Sequence, residues 1–157
     1  MPVKPIPDGY HTATPYMIVK DAARAIDFYK KAFGATELMR LAAADGKIGH
    51  AEILIGNSPI MLADEFPEMG IRGPKTLGGT PVSILLYVEN VDASAAQACA
   101  AGAKVLRPVK DQFYGDRSGT FEDPFGHTWS IATHKEDLSP QEMQRRFEEV
   151  MKGGGPE

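Results

Sequence analysis

The chain has little cysteine and tryptophan, no excess of basic charge, and no long apolar run. Its one cysteine, Cys99, cannot form an internal disulfide, so nothing points to an oxidising compartment. Cys99 stands in the alanine-rich stretch Ala95–Ala101, which reads as helix. There it is expected to be a small buried apolar residue rather than a catalytic thiol. No segment approaches the roughly 20 apolar residues of a membrane span. Residues 1–7, with three prolines and a lysine, lack the apolar core of a secretion signal. A cytoplasmic protein without a membrane partner is the expectation. Lys and Arg number 17 against 21 Asp and Glu, a net charge of −4, which argues against nucleic acid as partner because phosphate neutralisation needs a basic surface. At 157 residues, 43% hydrophobic and 24% charged, the chain fits one globular domain or two small halves sharing a core.

What is present is a repeat. Thr14-Pro15-Tyr16-Met17-Ile18-Val19 leads to Asp21 and an amphipathic stretch closed by Gly34-Ala35, and Ser83 to Val88 leads to Asp92 and a second such stretch closed by Gly102-Ala103. Each half then ends in a turn and an apolar segment, Ile60-Met61-Leu62 and Trp129-Ser130-Ile131. Val19 and Val88, like Ile60 and Trp129, stand 69 residues apart, and Gly34 and Gly102 stand 68 apart. Two such curved sheets side by side would enclose a cleft, and function is expected there.

The pattern predicts strands at Tyr16–Val19, Glu37–Ala42, His50–Ile55 and Pro59–Ala63, with a helix after the N-cap Asp21 whose stripe is Ala22, Ala25, Ile26, Tyr29 and Phe33. The second half repeats the order: Ser83–Val88, a helix capped by Asp92 and running to Ala101, then strands near Val105–Pro108, Gly119–Glu122 and Thr128–Thr133. Asp64–Pro81, rich in Gly, Pro and charge, reads as a long connection opened by a solvated acidic tip, Asp64-Glu65. Ser139-Pro140-Gln141-Glu142 is a capping box opening a last helix with an apolar edge of Met143, Phe147, Val150 and Met151. The expected organisation is one domain over 1–138, with modules at about 12–64 and 82–134 joined by a linker at 65–81, followed by a C-terminal helix at 139–152. The fold class is α+β: two tandem βαβββ modules forming a curved mixed sheet, plus that helix.

Two βαβββ units in tandem resemble the vicinal oxygen chelate superfamily of glyoxalases, fosfomycin-resistance enzymes, extradiol dioxygenases and bleomycin-binding proteins, and the likeness is nearest its PhnB-like branch. Ala25–Gly34, His50-Ala51-Glu52, Ile60–Asp64, Tyr114–Gly119 and Asp123–Trp129 carry the resemblance, which covers about Thr14 to His134. Metal-dependent members place His or Glu ligands in the first and last strand of each unit. In the repeat register those positions are Thr14, Met61, Ser83 and Ser130. Three hydroxyls and a thioether do not make a divalent-metal site, so no metal and no other cofactor is expected. The metal-polarised chemistries of the family are not carried over.

His50 and Glu52, two apart on a strand, share a face that should meet the cleft while Ala51, Ile53 and Ile55 meet the helix. They are the candidate catalytic pair; the plainer reading is a polar pair lining a wet groove. Tyr114, Asp116 and Arg117 lie on a glycine-punctuated loop and could grip a polar ligand, or Asp116 and Arg117 could pair with each other to fix the loop. Tyr16, Tyr87, Phe113 and Tyr114 could form an aromatic wall for a flat or cationic ligand, or could plug the cleft. Trp129 reads as core with an indole N–H that needs a partner, and His127 as a turn histidine bonded to backbone. The leading functional expectation is a homodimeric small-molecule-binding protein without the metal. The alternative is a lyase or isomerase on a small carbonyl compound, using His50 and Glu52 without metal or with a relocated one. A third is an interaction subunit docking through the last helix.

Overall fold

Residues 2–155 are described by a computed structural model, in which the chain resolves into two compact units. The first runs to Pro81 and includes Pro124–His127; the second comprises Val82–Asp123 and the chain from Thr128 on.

In the first unit, alternation of apolar and polar residues builds β1 (Tyr16–Val19), β2 (Thr36–Ala42), β3 (Ile48–Ile55) and β4 (Ser58–Asp64), with α1 (Ala22–Phe33) after β1. The sheet order is β1-β4-β3-β2, with β1 parallel to β4 and the other pairs antiparallel. Helix α1 buries Ala22, Ala25, Ile26, Phe28, Tyr29 and Ala32. Against them lie Val19, Ala51, Ile53, Ile60 and Leu62, all essentially inaccessible. Each large aliphatic side chain so placed stabilises the fold by roughly 1.5–3 kcal/mol. Period two then leaves Tyr16, His50, Glu52 and Met61 on the sheet's other, open face. Gly34, at φ 68°, closes α1 in the left-handed conformation that an L side chain resists.

The second unit repeats this order: β5 (Ser83–Tyr87), β6 (Lys104–Asp111), β7 (Asp116–Glu122) and β8 (Thr128–His134), in the sheet order β5-β8-β7-β6. Between β5 and β6 runs α3 (Val91–Ala101). Trp129, Phe121 and Ile131 fill its core, and the buried Trp129 indole donates to Asp123 Oδ2 at 2.8 Å, the partner such a ring needs. The helix α4 (Pro140–Lys152) follows, capped by Ser139, whose Oγ accepts from Glu142 N at 3.1 Å. The Glu142 carboxylate turns to Arg145 and Arg146 instead, so only half of the capping box forms.

Four expectations need correction. Asp64 and Glu65 are not a solvated tip but are 7% and 9% exposed. Asp64 ends β4 beside the start of α1, where its Oδ1 accepts from Asp21 N (2.9 Å) and Ala22 N (2.8 Å) and its Oδ2 from Ile48 N (2.7 Å). Glu65 Oε1 accepts from Gly73 N at 2.7 Å and Thr76 Oγ1 at 2.5 Å. These contacts also organise the long connection, which holds a 3₁₀ turn at Pro67–Met69 and the short α2 (Pro74–Leu77).

The second correction concerns α3, whose N-cap is Asn90, accepting from Ala93 N at 3.1 Å; Asp92 falls inside the first turn. The same helix exposes Cys99, because in a nearly uniform alanine stretch only Val91, Ala95 and Ala98 are large or well placed enough to face the sheet. Finally, Asp116 and Arg117 stand in β7, not on a loop: the β6–β7 turn is shorter than the glycines suggest, and Asp116 already pairs with His134 of β8.

Candidate functional site

The open face of the first sheet carries a continuous hydrogen-bonded chain. His50 Nε2 lies 3.3 Å from Glu52 Oε2, and His50 Nδ1 lies 2.8 Å from the Tyr16 hydroxyl. Because a carboxylate only accepts, Nε2 carries the proton toward Glu52, and the Tyr16 hydroxyl donates to Nδ1. The other Glu52 oxygen accepts from the Tyr10 hydroxyl. Register explains the first three: Glu52 pairs with Met61, which pairs with Tyr16, and His50 stands two residues along β3 on the same face. Tyr10 comes from the proline-rich segment before β1, where no periodic signal marks it. Two titratable groups and two phenols in series can pass a proton between a ligand and solvent.

The open face of the second sheet carries another chain. Tyr87 donates to Asp116 Oδ2 at 2.8 Å, and His134 Nδ1 donates to Asp116 Oδ1 at 2.8 Å. The other ring nitrogen, Nε2, donates to Asp137 Oδ1 at 2.7 Å. With both nitrogens donating, the imidazolium is favoured, and the hydrogen bond to Asp116 first, then that to Asp137, raises the His134 pKa. The same Asp116, only 6% exposed, pushes the Tyr87 phenol up. A groove of about 480 Å³ lies on this face, with Tyr114, Ser118, Thr120 and Ser130 among its lining.

Two expected ligand contacts are placed elsewhere. Arg117 alternates to the helix side of β7, where Nε and Nη2 bond Asp92 at 2.9 and 3.0 Å and Nη1 bonds Asp111 at 3.3 Å. The expected Asp116–Arg117 pairing does not occur, since neighbours on a strand point to opposite faces. Phe113 packs against Tyr114 and, with centroids 5.9 Å apart, against Phe147 of α4. His127 Nε2 donates to the Ile18 carbonyl at 2.8 Å, as a turn histidine should. Sequence reasoning gave His134 no role and passed over Asp137, Ser118 and Thr120. The 118/120 alternation around Gly119 was the available signal for the last two.

At the positions where metal-dependent relatives of the resembled fold hold ligands, the first unit has Thr14 and Met61 and the second Ser83 and Ser130. The Tyr16–Met61 and Leu85–Ser130 pairings put Met61 and Ser130 at equivalent points of the two sheets. Hydroxyls and a thioether do not fit a divalent transition metal, which calls for converging imidazoles, carboxylates or thiolates. Among the described residues no group of three or more His, Cys, Asp or Glu side chains is arranged to hold an ion.

The sequence profile of the Glyoxalase/Bleomycin resistance protein/Dioxygenase superfamily matches residues 10–131. The chain belongs to this superfamily. Within it, an uncharacterised protein of Mycobacterium bovis is 46% identical over 134 residues, which cover 83% of this chain and 88% of that protein. A crystal structure from Pseudomonas aeruginosa shares 26% identity and superposes with a TM-score of 0.65, covering 80% of this chain and 99% of the other. The genomically encoded fosfomycin resistance protein of Listeria monocytogenes shares 20%, with a TM-score of 0.60 over 85% of this chain and 97% of its own. At that identity the superfamily likeness is one of fold alone.

Proposed function

We propose that this chain is a small-molecule-binding protein of the glyoxalase/bleomycin-resistance type, on the PhnB-like branch, that works without the family's metal as a cytoplasmic homodimer. The observation that carries the reading is the donor set at the family's ligand positions, where Thr14, Met61, Ser83 and Ser130 replace His and Glu on an otherwise intact scaffold. The groove over Ser118, Thr120 and Ser130 supplies a place for a ligand, walled on one side by Tyr114. Tyr16 and Tyr87, 51% and 65% exposed, add aromatic surface that no core packing accounts for. Thermal-shift screening of the metal-free protein against small amphipathic molecules tests it. A ligand at a hundredfold excess over its Kd adds about 2.7 kcal/mol of stability, or on the order of 5–10 °C for a chain of this length. A broad library without any stabilising compound sinks the proposal.

The Tyr16–His50–Glu52–Tyr10 chain favours a second reading, a lyase or isomerase that moves a proton on a small carbonyl compound. His50→Gln should then abolish turnover while leaving the urea midpoint close to that of the wild type. Turnover that survives this substitution ends that reading.

A further inference from the structure

The groove of the second unit has a charge pattern unlike that of the chain around it. The chain is acidic overall, yet among the described residues no carboxylate lines this groove, and two cations, Arg107 and Lys110 of β6, do. Pairing register fixes which way they point. Arg107 pairs with Thr120, and Lys110 with Ser118, so both cationic side chains share the face of β7 that presents those two hydroxyls. Thr120 in turn pairs with Ser130, so the row continues into β8. The uneven spacing of the two cations, three residues apart but on one face, comes from the register shift between Arg107 and Lys110, which Pro108 and Val109 absorb.

The state of the donors matters more than their presence. Arg117, Arg145 and Arg146 of the same unit each have carboxylate partners. Among the described residues no hydrogen bond or ion pair engages the Arg107 side chain. The hydroxyls beside it are loosely held: Thr120 and Ser130 are 3.4 Å apart, and Tyr114 and Ser118 3.3 Å. Both distances lie beyond the usual 2.5–3.0 Å of an O–H···O bond, so each hydroxyl can turn to a better acceptor. An unpaired guanidinium offers a planar fork that matches a carboxylate or phosphate with two parallel bonds. Leu85, 46% exposed, and Leu106, 45% exposed, supply an apolar wall in the same groove.

Resting on the small-molecule-binding reading above, we propose that this groove selects an organic oxyanion with a short apolar body, its charged end on Arg107 with Lys110 nearby and its apolar end against Leu85 and Leu106. The hydroxyls of Ser118, Thr120 and Ser130 donate to the remaining oxygens. Gly119 lets the strands close around the site: a Cβ there would stand 2.9 Å from Val109 Cγ2 and 3.2 Å from the Arg107 carbonyl, so any side chain would push β6 away.

The test uses four six-carbon probes that differ only in the head group, namely hexanoate, hexyl phosphate, hexanol and hexylammonium, with inorganic phosphate as a fifth. Each is titrated into the full ¹⁵N-labelled chain and read from backbone amide shifts. The expected result is saturable shifts at 118–120 and 130 for hexanoate or hexyl phosphate, with hexanol and hexylammonium weaker by about tenfold or more. Arg107→Gln should weaken the two anions by about tenfold and leave hexanol unchanged, while Arg107→Lys recovers part of the loss. Which of the two anions binds tighter distinguishes carboxylate from phosphate ligands. Hexanol or hexylammonium binding in this groove as tightly as the anions overturns the oxyanion proposal and leaves the binding reading standing. Inorganic phosphate matching hexyl phosphate overturns the part played by the apolar wall. Silence at these amides with every probe overturns the proposal, and the binding reading then stands or falls on the thermal-shift library.

Discussion

Replacing Asp64 with asparagine should cost far more stability than a surface acid could. The Asp64 carboxylate accepts three backbone N–H groups, two from the first turn of α1 and one from β3. It is 7% exposed, so water cannot take over. An asparagine can keep its oxygen toward Asp21 N and Ala22 N only by aiming its NH₂ at Ile48 N, 2.7 Å away in the wild type, which sets donor against donor. Hydrogen bonds to a charged group contribute about 1.5–3 kcal/mol each, and an orphaned buried donor costs about 1–3 kcal/mol. Losing one bond outright and the charge at two others gives an expected destabilisation of about 3–5 kcal/mol. At roughly 2–4 °C per kcal/mol for a chain of this size, Tm should fall by on the order of 10–15 °C. The second unit supplies a control. Thr133, the equivalent of Asp64 by the 69-residue repeat, accepts from Val91 N at 2.9 Å and donates to Val88 O at 2.8 Å. Thr133→Val should cost about 1–3 kcal/mol, because that contact is neutral. Urea unfolding followed by far-UV circular dichroism measures both. A loss under about 1 kcal/mol for Asp64→Asn would refute the view that this carboxylate organises the start of α1.

Other consequences can be checked by titration and packing. His134 titrates above its ordinary value because Asp116 and Asp137 accept from its ring, so its stabilising charge is fully present below the unfolded pKa and fades as pH rises through the raised folded one. NMR titration of the His134 ring should show that raised pKa, and Asp116→Asn should bring it down. Glu142 is held down to about 2 by Arg145 and then Arg146, so its contribution to α4 is present above the ordinary carboxylate range and lost as pH falls toward 2. Glu142→Gln should make helix content insensitive to pH across that window. Gly119→Ala should cost about 1–3 kcal/mol through the clash with Val109 and weaken any groove ligand, both measurable in one thermal-shift series.

Much of this molecule is legible from the chain because repetition and alternation are strong signals. The 69-residue offset anticipated that Met61 and Ser130 occupy equivalent positions, and period two anticipated that His50 and Glu52 share the open face. Misreadings arose where a polar residue serves the fold. Asp64 looks like any acid at the edge of a loop, and only the meeting of β4, α1 and β3 turns it into a buried acceptor. Arg117 looks like a ligand grip, but one residue of strand parity sends it to Asp92 on α3. Arg107 and Lys110 went unnoticed for the opposite reason. Basic residues around a proline on an edge strand resemble the usual protection of a sheet edge, and only the irregular pairing of β6 with β7 puts both on the face of the groove.

The central claim, a family scaffold that binds its ligand without the family's metal, is tested most directly by the metal content of protein purified without chelators or tag. Less than about a tenth of an equivalent of any transition metal, with no stabilisation on adding Zn²⁺, Ni²⁺ or Mn²⁺, is the expected result. A near-stoichiometric ion that resists dialysis would contradict it, and would point to a site built around His50 and Glu52.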